Sequence, residues 1–220
     1  MRKLTGAVFL SLDGIMQAPG GPEEDQSGGF QFGGWTAPFW DEDMGPFEKI
    51  LGSEYDLLLA KRTYDIFSAY WPYNQDDPIG AKFQSINKYV LTHSDEPLSW
   101  ESSHKLSGDT AAAVEVLKNS EGRDLLIQGS SKLYPPLVSA GLIDRLMLMI
   151  FPVLLGQGKR IFDASQKPSE LKLVDGFVSG TGVVTATYEP AGEVRTGTFA
   201  TKEPSKAELE LREKMAREEA

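Results

Sequence analysis

The stretch DLLIQGSSKLYPPLVSAGLIDRLMLMIFPVLLG, residues 124–156, decides the fold. DLLIQG (124–129) is a short apolar run ending in a small-residue turn, the pattern of a buried strand. SSKLYPPLVSAGL (130–142) reads as a helix with Pro135 and Pro136 in or near its first turn, where the missing N–H costs nothing. LIDRLMLMIFPVLLG (142–156) is apolar on both faces and is the strongest strand candidate in the chain. A strand, a helix and a strand in succession argue for a mainly parallel α/β sheet.

Outward from this unit the alternation continues. KLTGAVFLSLDG (3–14) is a buried first strand with a turn at Asp13-Gly14. A helix starts near Asp41 or Asp43 with Phe47, Ile50 and Leu51 on one face. YDLLLA (55–60) and KYVLT (88–92) read as strands, KRTYDIFSAY (61–70) as a helix with Tyr64 and Phe67 inward, and DTAAAVEVLKNS (109–120) as a helix capped by Asp109. LKLVDGFVSGTGVVTATYEP (171–190) forms two antiparallel strands around Gly180-Thr181-Gly182. The expected architecture over 1–190 is a mainly parallel central sheet with flanking helices and a C-terminal antiparallel hairpin. Residues 191–220 are set apart as an edge strand, GEVRTGTFA (192–200), followed by a charged helical tail.

Composition narrows the function. The chain has 220 residues and a net charge of −10, which disfavours nucleic acid, because phosphates need cations to replace their counterions. Residues 146–155 form the longest nearly apolar stretch, too short for the roughly 20 residues of a membrane span. There is no cysteine, which suits a cytoplasmic location, and His93 and His104 lack metal-ligand spacing, so no metal site is expected. Between Gly20 and Asp56 nine acids accompany one base, Lys49, a local charge of −8. This run reads as a solvated loop and helix face, which places any anionic cofactor elsewhere on the molecule. The Gly- and Pro-rich segment 18–38 is of a length that marks a functional or a disordered loop, and its interleaved Phe30, Phe32 and Trp35 favour one that packs over something.

Ligands in open α/β sheets bind beyond the carboxyl ends of the strands. Three strand-to-helix turns there could follow one extended phosphorylated ligand. Ala60-Lys61-Arg62-Thr63 puts two cations and a hydroxyl at a helix N-terminus. Thr92-His93-Ser94 offers hydroxyls and a histidine. Gln128-Gly129-Ser130-Ser131-Lys132 lets a phosphate approach the backbone. Singly, each has an ordinary reading: a surface cation pair, a polar strand end, a tight turn with a cap. Gly156-Gln157-Gly158-Lys159-Arg160 is a fourth candidate but completes neither a dinucleotide fingerprint nor a P-loop. Without a G-x-S-x-G elbow or thiols, hydride transfer is the chemistry that remains.

SLDG (11–14), LLLAKRTYDIF (57–67), KYVLTHS (88–94), IQGSSKLYPPLVSAGLIDRL (127–146) and FPVLLGQGKRIF (151–162) occur in an order that resembles the C-terminal reductase domain of the bifunctional riboflavin-biosynthesis deaminase-reductase and the dihydrofolate reductase-like proteins. The resemblance runs from about residue 3 to 188. It implies a dihydrofolate reductase-like fold, NADPH as cofactor and a homodimer. By position, Lys61, Arg62 and Thr63 match a turn on the cofactor phosphates. Thr92, His93 and Ser94 match the segment near the adenosine ribose and its 2′-phosphate. Gly129, Ser130, Ser131 and Leu133 match the turn under the pyrophosphate, and Gly156 and Gly158 the loop on the nicotinamide side. Two departures stand out: Ser130 where a glycine pair is common, and Ala60 where a glycine precedes the first cation. Asp43 is closest to the family's helix carboxylate. Asp13 is the other acid considered, with turn chemistry as its competing role. The expected function is NADPH-dependent reduction of a small heterocyclic, pterin- or pyrimidine-like substrate held under the 18–38 loop. The alternative is a nucleotide-binding module of the same fold without turnover.

Overall fold

A computed structural model describes residues 1–40, 45–162 and 167–218. One eight-stranded sheet organises them, in the order β4-β3-β2-β5-β1-β6-β8-β7. The strands are β1 (Leu4–Ser11), β2 (Tyr55–Ala60), β3 (Lys88–Leu91), β4 (Ser103–Leu106), β5 (Asp124–Gln128), β6 (Arg145–Phe151), β7 (Glu170–Val178) and β8 (Val184–Gly192). The first six are parallel and the last two antiparallel. The chain runs from β1 outward to β4, then returns so that β5 inserts between β2 and β1. Crossovers diverge at that point, and a crevice opens beyond the carboxyl ends of β1, β5 and β2.

The helices are α1 (Pro46–Gly52), α2 (Lys61–Tyr70), α3 (Pro78–Ser85), α4 (Thr110–Asn119), α5 (Tyr134–Ser139) and α6 (Lys206–Glu218). β1 alternates as a strand covered on both faces must. Leu4, Val8 and Leu10 join α4 and α5 through Val114, Leu117, Tyr134 and Leu137, whereas Ala7 meets Leu57, Leu59, Tyr64 and Phe83. A third cluster joins Phe47 of α1 to Met147, Met149 and Phe151 of β6. Pro135 and Pro136 stand in the opening turn of α5, as expected. Asp109 caps α4 by accepting from the Ala112 N–H at 2.9 Å.

Several expectations change. The strand expected over 142–156 is only Arg145–Phe151, because residues 152–156 turn away behind Pro152. α3 and β4 had no counterpart in the sequence reading. α3 is capped by Asp77, which accepts from the Ile79 N–H at 2.7 Å, and begins with Pro78. No edge strand forms at 193–200; β8 itself continues to Gly192, and residues 193–205 carry no regular structure. α6 is helical and wholly exposed. The described part of the first helix begins at Pro46, and Asp41–Met44 lie outside the described residues. Among the described residues no helix is long and apolar enough to cross a membrane.

The amino ends of the parallel strands carry buried charge. Arg2 pairs with Asp56 at 2.6 Å, and Asp56 also accepts from the Asn87 backbone and side chain at 3.2 Å each. Lys118 pairs with Asp144 at 2.5 Å. Lys88 is fully buried, its Nζ donating to the carbonyls of Glu101 at 3.0 Å and Gln84 at 3.3 Å, 4.4 Å from the Trp100 ring centre. Burial pushes its ammonium down to about 8, against the charges of Glu101 and Asp56. An unfolded lysine titrates near about 10.4. Between those values the unfolded chain holds more protons, so stability rises with pH. Urea unfolding from about pH 8 to about pH 10 should show a rise of roughly 1–3 kcal/mol. Lys88→Met should flatten it; an equal slope in the variant would assign the titration to another group.

Candidate active site

A cleft of about 1560 Å³ opens at the carboxyl ends of the parallel strands. It is walled by the loop after β1, the start of α2, residues 91–93, the turn after β5, and Lys159. Single small-molecule pockets run from about 300 to 1,000 Å³. This cleft therefore has room for an extended ligand together with a smaller one.

The turn after β5 is the best-defined wall. Gly129 (φ +72°) and Ser130 (φ +60°) are successive left-handed residues. Glycine adopts that conformation freely, whereas a residue with a Cβ loses about 1–2 kcal/mol. Ser130 recovers this through both its polar groups. Its Oγ accepts from the Ala60 N–H at 3.0 Å, and its own N–H donates to Thr63 Oγ1 at 3.1 Å. The turns after β2 and β5, neighbouring strands in the sheet, are thereby locked into one unit. The two departures noted at Ala60 and Ser130 are thus one feature. Ala60 is extended, needs no glycine, and gives its N–H to the serine hydroxyl. α2 opens without a side-chain cap, so its first-turn N–H groups and dipole can serve an anion. Gln128 ends β5 in this wall, and its buried Oε1 has no hydrogen-bond partner among the described residues, an acceptor set for a donor.

Lys61, Arg62 and Lys159 are all paired here. Lys61 Nζ donates to Asp65 at 2.7 Å and Glu96 at 3.3 Å, and the Asp65 hydrogen bond in particular raises its pKa. Arg62 Nη1 donates to Asp25 Oδ1 at 3.1 Å, and Lys159 Nζ to Asp25 Oδ2. Glu23, Glu24 and Asp25 line the same cleft as Lys61 and Arg62. This corrects the expectation that the acidic run lies away from an anion site, because the loop after β1 folds back onto α2. Its aromatic part packs elsewhere. Phe30 and Trp35 are buried against Ile15 and Phe151, and the Trp35 indole donates to the Gln17 carbonyl at 2.8 Å. Only residues 16–25 and Ser27 of this loop face the cleft. Gln17, unmarked in the sequence, anchors them: its Nε2 donates to the carbonyls of Asp25 and Ser27, each at 2.9 Å, and its Oε1 accepts from the Lys159 N–H at 3.1 Å.

Eight of the sequence candidates meet in the cleft: Lys61, Arg62, Thr63, Thr92, His93, Gly129, Ser130 and Ser131. Others lie off it. Ser94 caps a turn by accepting from the Glu96 N–H at 3.2 Å, and Leu133 is in the core. Asp13 bonds the Ser11 hydroxyl at 2.6 Å and the N–H groups of Leu155 and Gly156 at 3.1 and 2.8 Å. The Ser11 bond first, then those amides, hold its carboxyl at about 2 despite burial. Asp13 and Gly156 thus tie the turn after β1 to the loop after β6. Gly158 (φ +132°) packs so closely that a Cβ would stand 2.7 Å from Ile15 Cγ2. Asp43 lies outside the described residues.

The brace can be tested directly. Ser130→Ala keeps the strained backbone but strands the Ala60 N–H, and should cost about 1–3 kcal/mol. Ser130→Gly loses the same bond while relieving the strain, so it should cost less than Ser130→Ala. Denaturant unfolding measures both; Ala as stable as wild type would mean that the brace contributes nothing.

With the cleft described, the chain can be set beside known proteins. It is 25% identical over 191 residues to the Bacillus subtilis protein YyaP, described as uncharacterized, covering 85% of this chain and 94% of that one. A putative riboflavin biosynthesis protein from Shewanella sp. PV-4 superposes with a TM-score of 0.62 at 19% identity, covering 87% of this chain and 99% of the other. Dihydrofolate reductase from Enterococcus faecalis, complexed with NADP(H), superposes with a TM-score of 0.52 at 14% identity, covering 86% and 96%. At these identities the structures establish the fold, which is dihydrofolate reductase-like. The family model of the RibD C-terminal domain matches residues 2–185, and the chain belongs to that family.

Proposed function

We propose that the cleft binds NADPH and reduces a small heterocyclic, pterin- or pyrimidine-like substrate. The single observation that carries this reading is the braced pair of turns at the carboxyl ends of β2 and β5, with residues 92–93 beside them in one cleft. NADPH, when bound, supplies a hydride at its nicotinamide ring. The chain's own residues bind and orient. The Gly129 and Ser131 N–H groups and the uncapped start of α2 take the pyrophosphate, with the Ser130 N–H kept in the brace. Lys61, Thr92 and His93 take the 2′-phosphate; the Lys61 pairs with Asp65 and Glu96 are partly exposed and worth about 0–1 kcal/mol, so an incoming phosphate can replace them. The loop after β1 covers the substrate. Gly156, Gly158 and Asp13 hold that loop from behind rather than touching ligand. Asp43 is the carboxylate proposed to face the substrate as acid. The RibD C-terminal family and the fold of an NADP(H)-binding reductase support the reading.

We further propose a homodimer through the β7–β8 face, where Leu171, Leu173, Val178 and Val184 are exposed together.

Three measurements test these proposals. NADPH should bind about tenfold or more tightly than NADH at fixed salt, since one charge-assisted hydrogen bond is worth roughly 1.5–3 kcal/mol, and Lys61→Ala should narrow the gap. Equal affinities would remove the assignment. NADPH should be oxidised with a pterin, flavin or quinone in the panel; binding without oxidation would favour the nucleotide-binding module. Light scattering at micromolar concentration should give twice the chain mass, and a single chain mass would reject the dimer.

A further inference from the structure

The end of the cleft under the loop after β1 contains an anion of its own. Asp25 sits on the loop after β1 with its side chain 8% exposed. Its Oδ1 accepts from Arg62 Nη1 at 3.1 Å and from the Ser27 N–H at 3.2 Å, and its Oδ2 from Lys159 Nζ. The main chain is held as firmly, since the Asp25 carbonyl accepts from Gln17 Nε2 while Gln17 Oε1 takes the Lys159 N–H. One carboxylate therefore occupies two cations from two different walls, in the manner of a bound phosphate.

We propose that Asp25 is an internal anion that reserves the Arg62–Lys159 pair, so that this end of the cleft takes an unphosphorylated heterocycle and rejects a phosphate ester. That the heterocycle is a substrate rests on the reductase reading above; the anion-site claim does not. Among the described residues the acids lining the cleft (Glu23, Glu24, Asp25 and Asp65) match its cations (Lys61, Arg62, Lys132 and Lys159), but Arg62 and Lys159 are already taken by Asp25. A phosphate arriving at that pair meets the Asp25 carboxylate in a partly buried setting, where like charges repel strongly. Glu24 stands beside it. It is half-buried, accepts from the Gly20 N–H at 2.6 Å, and pairs with no lysine or arginine among the described residues. Burial pushes its carboxyl up, against the amides of Gly20 and Gly21 and with the charge of Asp25. Guanidinium and ammonium groups near a cleft otherwise invite phosphate, so without Asp25 the same geometry would be an anion site.

Inorganic phosphate is the probe, and the unfolding midpoint at constant ionic strength is the readout, because a ligand that binds only the folded state raises it. Four proteins are compared: wild type, Asp25→Asn, Lys159→Gln and the double variant. The phosphate cradle proposed at residues 129–131 gives all four a common background. Asp25→Asn should bind phosphate at least tenfold more tightly than wild type, and adding Lys159→Gln should return it to the background. Lys159→Gln alone should leave the wild-type response unchanged, an arm that remains readable even if Asp25→Asn does not fold. An Asp25→Asn response equal to wild type, or a wild-type response lost in Lys159→Gln, would overturn the proposal. Neither dinucleotide nor turnover enters this experiment, so its failure and the failure of the reductase reading are separately visible.

Discussion

Two successive left-handed residues, Gly129 and Ser130, hold the cleft in register. The first has no Cβ to clash. The second has one, and is retained because its hydroxyl and amide both find partners on the next wall. Sheet order makes this possible. β5 inserts between β2 and β1, so the turn that follows it lands against the start of α2 and beside the loop after β1. A parallel sheet offers such turns at every carboxyl end. The chain becomes a site where two of them are fastened together at the start of a helix that has no side-chain cap.

The molecule keeps its buried charges in two separate places. At the amino ends of the strands, Arg2–Asp56, Lys118–Asp144 and the carbonyl-bound Lys88 are enclosed and matched by partners of their own. Pairs of that kind add little net stability, but breaking one leaves an uncompensated charge. At the carboxyl ends the arrangement differs. Asp25, Arg62 and Lys159 belong to three segments that this cluster joins, and Arg62 remains 62% exposed. Charge there is poised against solvent and ligand, and it shapes what the cleft admits.

Much of this was legible in the sequence. The period-two and apolar runs located seven of the eight strands, since β1, β2, β3, β5 and β6 lie in continuous apolar stretches and the final hairpin is marked by Gly180 and Gly182. β4 was not legible, because SHKL is polar and forms by pairing with β3 rather than by burial. α3 is short, and its signal is the Asp77-Pro78 start alone. Within the site, cations, hydroxyls and small residues at strand ends pointed to eight positions that converge in the cleft. What could not be read was partnership. An acidic run has the same composition whether it is solvated or folded onto Arg62. Gln17 carries no motif, and Asp13 is a plausible acid until its three hydrogen bonds are known.

If the braced turns after β2 and β5 cradle the phosphates of a dinucleotide, backbone amide chemical shifts of the labelled protein will report it during NADPH titration. The largest changes should fall at Lys61–Thr63 and at residues 129–132, smaller ones at Thr92 and His93, and little at Gly156 and Gly158. Changes centred on the loop after β6, or none at saturating NADPH, would contradict it.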